Sequence, residues 1–159
     1  MHLYLVQHGK AMPKEENPDR PLTNEGYAEV RKMASFLARC PDVRINAIVH
    51  SGKTRAEQTA ELFAAALHLK GKIRAEKELN PESLPWGWVE RLAKLEEDLM
   101  IVGHLPHLQR LSSLLICQDE NKPCVEFRNG GVVCLKRNES GIWSLQWIVV
   151  PELIQSFKE

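Results

Sequence analysis

The sequence predicts an α/β fold: a three-layer sandwich whose mostly parallel central sheet carries helices on both faces and ends in a C-terminal β-hairpin. Two observations lead to this prediction. Short apolar runs typical of buried strands alternate with longer stretches in which apolar residues recur at helical spacing. The last third of the chain instead holds two strand-like runs in succession, which indicates a hairpin.

The first strand is predicted at residues 3–7, and a polar, proline-containing loop follows it. Thr23 is placed to cap the next helix, because a threonine side chain can accept a hydrogen bond from a free backbone N–H group of the first turn. The predicted apolar face of this helix consists of Tyr27, Val30, Ala34 and Leu37. Pro41 follows the end of the helix.

The second strand is predicted at residues 45–50, and a helix from about Thr54 to Leu69 comes next. Apolar residues keep helical spacing along that helix, at Ala56, Ala60, Phe63 and Leu67. Gly71 is the predicted stop, since glycine readily takes the left-handed conformation that ends many helices.

The middle of the chain repeats the pattern less regularly. Residues 72–79 indicate a third, shorter strand, and residues 86–95 a modest helix. Residues 99–102 are uniformly apolar, as in a strand buried on both faces. Pro106 then stands where the first turn of a helix ending near Ile116 tolerates proline.

The C-terminal hairpin is predicted from strands at 131–137 and 142–150, which the turn residues 138–141 connect. No internal repeat, low-complexity tract or linker divides the sequence. Residues 1–159 are therefore expected to form one domain, a length at which a single core is usual.

Composition excludes several classes of function. The 21 Lys and Arg residues balance the 21 Asp and Glu residues, and a formal net charge of zero disfavours general binding to nucleic acids or membrane surfaces. No apolar run approaches the ~18 residues that a transmembrane helix requires, and the N-terminus lacks a signal-peptide pattern. The cysteines show neither paired nor zinc-type spacing, which favours reduced thiols in a cytoplasmic protein. They are Cys40, Cys117, Cys124 and Cys134.

The predicted strand-to-helix junctions carry unusual polar residues. In chain order these are Gln7 and His8 at the end of the first strand, Ser51 and Arg55 after the second, and His104 after the fourth. Open α/β sheets bind ligands outside the carboxyl ends of their strands. We therefore expect two histidines and an arginine to face one crevice, where helix N-termini add N–H donors that favour an anion.

These residue types are suited to phosphoryl transfer. A neutral histidine nitrogen can attack phosphorus and split hydrolysis into two steps through a covalent phosphohistidine. A second histidine, when protonated, can stabilise the equatorial oxygens together with an arginine. Arginine fits this task because its planar fork binds two phosphate oxygens at once. Neither a metal nor an organic cofactor is implied.

Short motifs stand in a characteristic order between residue 3 and about residue 110. They are His8-Gly9, Arg20-Pro21-Leu22-Thr23 with Gly26, Ser51, Arg55-Ala56-Glu57-Gln58-Thr59, Glu78-Leu79 with Pro81, and Gly103-His104 with Pro106. Together they resemble the histidine phosphatase (phosphoglycerate mutase-like) superfamily. The compact length is similar to that of its small SixA-type phosphohistidine phosphatase branch.

The resemblance implies roles for five residues. His8 would be the phosphorylated nucleophile, and Arg55 and His104 would hold the phosphoryl oxygens. Arg20 and Ser51 match motif positions that line the phosphate pocket. The implied substrate is phosphohistidine on a signalling or phosphotransfer protein, or a small phosphomonoester, and phosphate or sulfate should bind in the same pocket.

The general acid of larger relatives has no secure match. Glu78 and Glu82 lie in the corresponding segment, although a surface carboxylate is the more ordinary interpretation of each. A phosphohistidine substrate would hardly need such an acid, because its imidazole leaves readily when protonated.

Gln7 departs from the family pattern, which has arginine beside the nucleophile. Glutamine can donate hydrogen bonds but carries no charge and cannot form the forked pair. A hydrogen bond to a charged group contributes ~1.5–3 kcal/mol, so its loss could slow the reaction about 10- to 150-fold. Lys10 could supply a replacement charge, or it could be a solvated loop lysine. The alternative function is therefore an impaired homologue that binds phosphate or a phosphorylated partner.

Two further interpretations stay open. His50 and His107 could join the histidines of the predicted site around a metal ion, because imidazole suits zinc, nickel and copper. No acidic or cysteine ligand shares these motifs, so no metal site is predicted. Trp86 and Trp88 could form a lip that docks a partner protein. Packing against the sheet is the more ordinary role for both.

Overall fold

The computed structural model describes residues 1–154, and in them six strands form one sheet. The strands are β1 (His2–Gln7), β2 (Ala47–His50), β3 (Ile73–Ala75), β4 (Leu99–Gly103), β5 (Val132–Arg137) and β6 (Trp143–Val149). The helices are α1 (Asn24–Ala38), α2 (Thr54–Ala66), α3 (Trp86–Lys94) and α4 (His107–Cys117). Short 3₁₀ turns lie at Lys77–Leu79 and Pro151–Leu153. Residues 155–159 of the predicted domain lie outside the described residues.

The sheet has the strand order β3-β2-β4-β1-β5-β6. Strands β1 to β4 are parallel to their neighbours among themselves, while β5 runs antiparallel to both β1 and β6. The C-terminal hairpin therefore extends the parallel sheet at one side. This arrangement confirms the predicted mostly parallel sheet with a C-terminal hairpin, and it places β4 between β1 and β2.

Helices cover both faces of the sheet, as predicted. Side chains of β1 alternate between two buried clusters, because successive residues of a strand point to opposite faces. Tyr4 and Val6 belong to the cluster that contains α1 and α2 residues, while Leu3 and Leu5 belong to the cluster that contains α3 and α4 residues. Burying each such side chain contributes ~1.5–3 kcal/mol, so both helical layers are needed to exclude water from the strands.

Helix α1 docks closely on the loop that follows β1. Thr23 caps it as predicted, since its Oγ1 accepts a hydrogen bond of 2.9 Å from the Gly26 N–H. A Cβ atom on Gly26 would lie only 2.2 Å from the Lys10 carbonyl oxygen. Tyr27 was predicted on the buried face but is 37% exposed. The buried face instead begins at Gly26, because a residue without a side chain lets the helix approach this loop.

Helix α2 ends earlier than predicted. Its last residue is Ala66, and the chain reverses through His68, whose φ of +58° is left-handed. The Leu69 N–H then donates a 2.8 Å hydrogen bond to the Ala64 carbonyl, which closes the helix end. Gly71 as the stop was therefore wrong.

Two of the predicted strands are shorter in the structure. Strand β2 begins at Ala47 rather than at residue 45, because Asn46 bonds Asp98 through its side chain outside the regular ladder. Strand β3 ends at Ala75, and residues 77–79 form a 3₁₀ turn instead of continuing it. Pro106 lies just before α4, as its N-cap residue, rather than within its first turn.

The two tryptophans of the proposed lip have different environments. Trp88 is buried against the sheet, and the Arg91 guanidinium stacks on its ring at 3.9 Å from the centroid. Trp86 is 53% exposed. Across residues 1–154, no helix is both long enough and apolar enough to cross a membrane.

Candidate active site

The carboxyl ends of three neighbouring parallel strands bring the predicted residues together. His8 follows β1, Ser51 follows β2, and His104 follows β4, which pairs with both other strands. Arg55 lies in the first turn of α2, which begins just after β2. The four residues come from separate parts of the sequence and meet at one edge of the sheet.

His8 is buried and electrically neutral. Its Nδ1 is 2.7 Å from the Gly9 carbonyl oxygen, which can only accept, so Nδ1 carries the proton. Its Nε2 accepts a 3.3 Å hydrogen bond from the Arg55 Nε–H. Burial is the main cause that lowers the pKa of His8 to about 4, and the positive charges of Arg55 and Arg20 lower it further. The Nε2 lone pair is therefore unprotonated at neutral pH and is turned towards an arginine.

The backbone around His8 is fixed from three directions. The His8 N–H donates to the Gly103 carbonyl at 3.1 Å, and the Asn129 side-chain amide donates to the His8 carbonyl at 2.9 Å. The Gly9 N–H donates to Thr59 Oγ1 at 3.0 Å. Thr59 belongs to a motif noted in the sequence, but nothing in the sequence pointed to Asn129, because it lies 121 positions away.

His104 faces His8 across the site. The two ring centroids are 5.0 Å apart and the rings are tilted by 52°. His104 Nε2 is 2.6 Å from Ser51 Oγ, and that hydroxyl oxygen also accepts a 3.3 Å hydrogen bond from the Lys53 N–H. Burial, followed by the charges of His8 and Arg55, lowers the pKa of His104 to about 3. His104 is thus neutral in the empty site, whereas the mechanism drawn from the sequence used a protonated second histidine.

Two guanidinium groups act electrostatically on His8, and neither has an acidic partner among the described residues. Neither Arg55 nor Arg20 forms an ion pair with any carboxylate of residues 1–154. Burial lowers the pKa of Arg55, and the charge of Arg20 contributes to that decrease. Converging positive charges without counter-ions favour the binding of an anion.

Two helix N-termini reach the same edge. Helix α2 begins after Lys53 and helix α4 after Pro106, and neither has a side-chain cap. Gly52, with a left-handed φ of +86°, allows the tight turn that leads from Ser51 into α2. Helix N-termini carry partial positive charge, so both helices favour an anion at this edge of the sheet.

Gln7 and Lys10 lie on either side of His8 and Gly9 in the sequence. Gln7 is the last residue of β1, and its carbonyl accepts a 2.9 Å hydrogen bond from the Gly130 N–H. The Lys10 ammonium group is 2.6 Å from a Glu25 carboxylate oxygen and 3.4 Å from one of Glu29. The charge of Lys10 is therefore balanced by helix α1.

Among the described residues, no hydrogen bond or ion pair joins the remaining predicted candidates to this cluster. Glu78 and Glu82 are exposed, and neither carboxylate forms a hydrogen bond or ion pair within residues 1–154. His50 Nδ1 accepts a hydrogen bond from the Gly52 N–H. His107 is fully buried, and neither of its ring nitrogens has a hydrogen-bond partner in residues 1–154. No group of three or more potential metal ligands exists in the described part of the chain.

Comparisons with known proteins agree on one family. Residues 3–81 match the sequence family described as histidine phosphatase superfamily (branch 1). The chain is 29% identical over 160 residues to phosphohistidine phosphatase SixA of Escherichia coli (strain K12), and the match covers 95% of this chain and 94% of that protein.

Solved structures resemble the whole fold. The structure of the protein histidine phosphatase SixA complexed with tungstate has a TM-score of 0.86 and 26% sequence identity, covering 98% of this chain and all of that chain. An alpha-ribazole phosphatase from Shigella flexneri has a TM-score of 0.75 at 17% identity and covers 100% of both chains. The second likeness concerns the fold alone.

Proposed function

Because this chain belongs to the SixA-type branch of the histidine phosphatase superfamily, and is therefore a phosphatase, we propose that it hydrolyses phosphohistidine on another protein through a phosphorylated His8. One observation carries the proposal. The unprotonated Nε2 of His8 lies beside Arg55 and within reach of His104, in a site whose arginines have no acidic partner within residues 1–154. Such a site is arranged for a neutral nucleophile and a dianionic phosphoryl group.

In the first step, His8 Nε2 uses its lone pair to form a bond to phosphorus while the P–N bond of the substrate breaks. The substrate imidazole takes the bonding electron pair and leaves as a neutral ring, because its other nitrogen carries a proton. The hydrogen bond from His8 Nδ1–H to the Gly9 carbonyl holds the ring in the reactive tautomer. Arg55 would hold the transferring group by two of its N–H donors.

In the second step, water attacks the phosphorus of phospho-His8 and the new P–N bond breaks. Inorganic phosphate leaves, one proton of the water goes to solvent, and His8 returns to its neutral form. A bound phosphoryl group raises the pKa of His104, because a nearby negative charge favours the imidazolium. Protonated His104, released from Ser51, would then donate Nε2–H to a phosphoryl oxygen.

The proposal extends to the other residues. Ser51 would orient His104 in the empty site, and Arg20 and Gln7 would line the phosphate pocket, as the resemblance implies. Glu78 and Glu82 stay candidates for a general acid, yet a phosphohistidine substrate does not need one. Four cysteines without disulfide partners fit the proposed cytoplasmic location. The proposed role in signal transduction rests on the proposed substrate, a phosphohistidine-bearing protein.

A second substrate class, small phosphomonoesters, is the alternative that the family resemblance implies. An alkoxide leaves less readily than imidazole and requires a general acid. Glu78 and Glu82 are exposed, and in residues 1–154 no hydrogen bond or ion pair holds either carboxylate at His8. The phosphohistidine reaction therefore remains the first proposal, and an impaired, phosphate-binding protein the alternative.

The test compares turnover of a phosphohistidine-bearing protein with turnover of an aryl phosphate. We expect kcat/KM to be higher on the first substrate and abolished on both by His8→Ala. His2→Ala, at the opposite end of β1, serves as the matched histidine control. Tight binding of inorganic phosphate without turnover of either substrate would favour the impaired homologue instead.

A further inference from the structure

Exposed apolar side chains lie at the same edge of the sheet as the candidate active site. We propose that three of them form an apolar rim on which the phosphohistidine-bearing protein docks. The rim consists of Leu84, Trp86 and Leu105, which are 70%, 53% and 39% exposed. This inference rests on the proposed function, because it assigns a contact surface to the protein substrate of that site.

The topology of the sheet places the rim beside the site. Helix α3 lies between β3 and β4, and helix α4 follows β4. The segment after each parallel strand leaves from the carboxyl edge, so both helices begin at the edge where His8 and His104 lie. Trp86 is the first residue of α3, and Leu105 directly follows His104. Because α3 and α4 also pack against each other, their first turns are neighbours.

The segment before α3 lies against the end of β4. A Cβ atom on Gly103, the last residue of β4, would lie 3.7 Å from the Leu79 carbonyl oxygen. Ser83 Oγ donates a 3.2 Å hydrogen bond to the Lys77 carbonyl, which folds residues 77–83 into a compact turn. Leu84 follows this turn directly. The exposed leucine is therefore held close to the strand end that carries the second histidine of the site.

The depth of the nucleophile determines what must cover this rim. His8 and His104 are both buried, so a phosphohistidine has to enter from the surface to reach the His8 Nε2 atom. A histidine side chain is short, and the surface of the protein that carries it must therefore approach the residues around the entrance. A small phosphomonoester would enter without such a contact.

The composition of the rim fits a protein surface. Single exposed apolar residues are common, but an aromatic residue with two leucines beside one site is typical of a protein contact. Aromatic side chains are also frequent among the few residues that contribute most of the binding energy at interfaces. We therefore expect the partner to carry apolar side chains next to its phosphohistidine.

An exposed apolar residue at the opposite edge of the sheet provides a matched control. Ile142 is 63% exposed and lies in the turn between β5 and β6. Strand β5 is antiparallel to β1, and the Arg137 N–H at its end donates a 3.0 Å hydrogen bond to the Met1 carbonyl. This turn therefore lies at the amino end of β1, away from the active site.

Two substrates with the same reacting P–N bond test the proposal: a phosphotransfer protein phosphorylated on histidine, and the free amino acid phosphohistidine. Trp86→Ala should lower kcat/KM on the protein about 10-fold or more, as expected for an aromatic residue at an interface. Leu84→Ser should lower it by a smaller factor. On the free amino acid each variant should stay within about threefold of the natural chain, because the reacting groups are unchanged.

The control variant Ile142→Ser should leave kcat/KM on both substrates unchanged. A loss of equal size on both substrates in Trp86→Ala would overturn the proposal, because it would show an effect on the catalytic groups instead of docking. Full activity of a Leu84→Ser, Trp86→Ala double variant on the protein substrate would also overturn it. Both replaced side chains are exposed, so these variants are expected to fold.

A binding measurement separates failure of the rim from failure of the proposed function. The affinity for the phosphorylated phosphotransfer protein is measured in His8→Ala, which cannot form the covalent intermediate, with and without Trp86→Ala. Binding that is about 10-fold weaker with Trp86→Ala supports the rim, whatever the rate of turnover. Equal affinity, or no binding to either protein, would overturn it. Absence of turnover of both phosphohistidine substrates by the natural chain would instead reject the proposed reaction, and the affinities would still decide the role of the rim.

Discussion

Replacing His107 by leucine should flatten the acid dependence of stability. His107 is fully buried at the start of α4, and neither of its ring nitrogens has a hydrogen-bond partner among the residues that the structure describes. Burial is the main cause that lowers its pKa to about 4, and the nearby charge of Arg110 adds to it. Below pH 6.5 the unfolded chain therefore binds a proton at this residue that the folded chain does not bind.

The sign and size of the effect follow from this difference. Stability rises with pH wherever the unfolded state binds more protons, so His107 costs stability as the pH falls from about 6.5 towards 4. Each unit of pKa difference corresponds to ~1.4 kcal/mol, which gives about 2–3 kcal/mol over this window. His8 and His104 contribute losses of the same sign, because their pKa values are lowered too.

Urea unfolding followed by tryptophan fluorescence at several pH values between 7 and 4.5 measures this dependence. We expect His107→Leu to lose about 2 kcal/mol less than the natural chain over that range. His107→Gln should flatten the dependence similarly, since it removes the proton but keeps a polar group. Equal pH dependence in the natural chain and both variants would refute the assignment of His107 as a buried neutral residue.

Three further predictions follow from the loop after β1. Gly26→Ala should lower the free energy of unfolding by about 2 kcal/mol or more, because its Cβ would lie 2.2 Å from the Lys10 carbonyl oxygen. Gly87→Ala, in a helix with open space at that position, should instead raise it by about 0.5–1 kcal/mol, and equal urea midpoints would contradict the packing account. Thr59→Val leaves the Gly9 N–H without its acceptor and should lower kcat/KM on the phosphohistidine substrate, while circular dichroism should report a folded protein. Lys10→Ala should change kcat/KM by less than about threefold in steady-state assays. A larger loss would show that Lys10 contributes to phosphate binding.

The sequence predicts most of the fold because its signals are local. The uniformly apolar run at residues 99–102 becomes the buried strand β4, and Thr23 caps helix α1 as its position indicates. The end of α2 was missed, because a left-handed histidine at position 68 has no signature comparable to glycine. Tyr27 was misplaced for a related reason. Close packing at Gly26 determines which face of α1 is buried, and helical spacing alone does not contain that information.

Part of the candidate site could likewise be predicted from the sequence, and part could not. The placement of His8, Arg55 and His104 at successive strand ends is enough to predict that they meet, since parallel strands share one carboxyl edge. The hydrogen bond from Asn129 to the His8 carbonyl could not be predicted, because it depends on how the chain before β5 returns to β1. The pairing of Lys10 with α1 also depends on tertiary packing, and it changes how Gln7 is understood.

Trapping the covalent intermediate tests the central claim most directly. The protein would be mixed with a phosphohistidine-bearing protein, quenched in alkali within milliseconds to seconds, and digested for mass spectrometry. The account predicts transient phosphate on the peptide that contains His8, and its absence in His8→Ala. Phosphate release by a fully active protein without any phosphate on His8, or with phosphate on another residue, would contradict it.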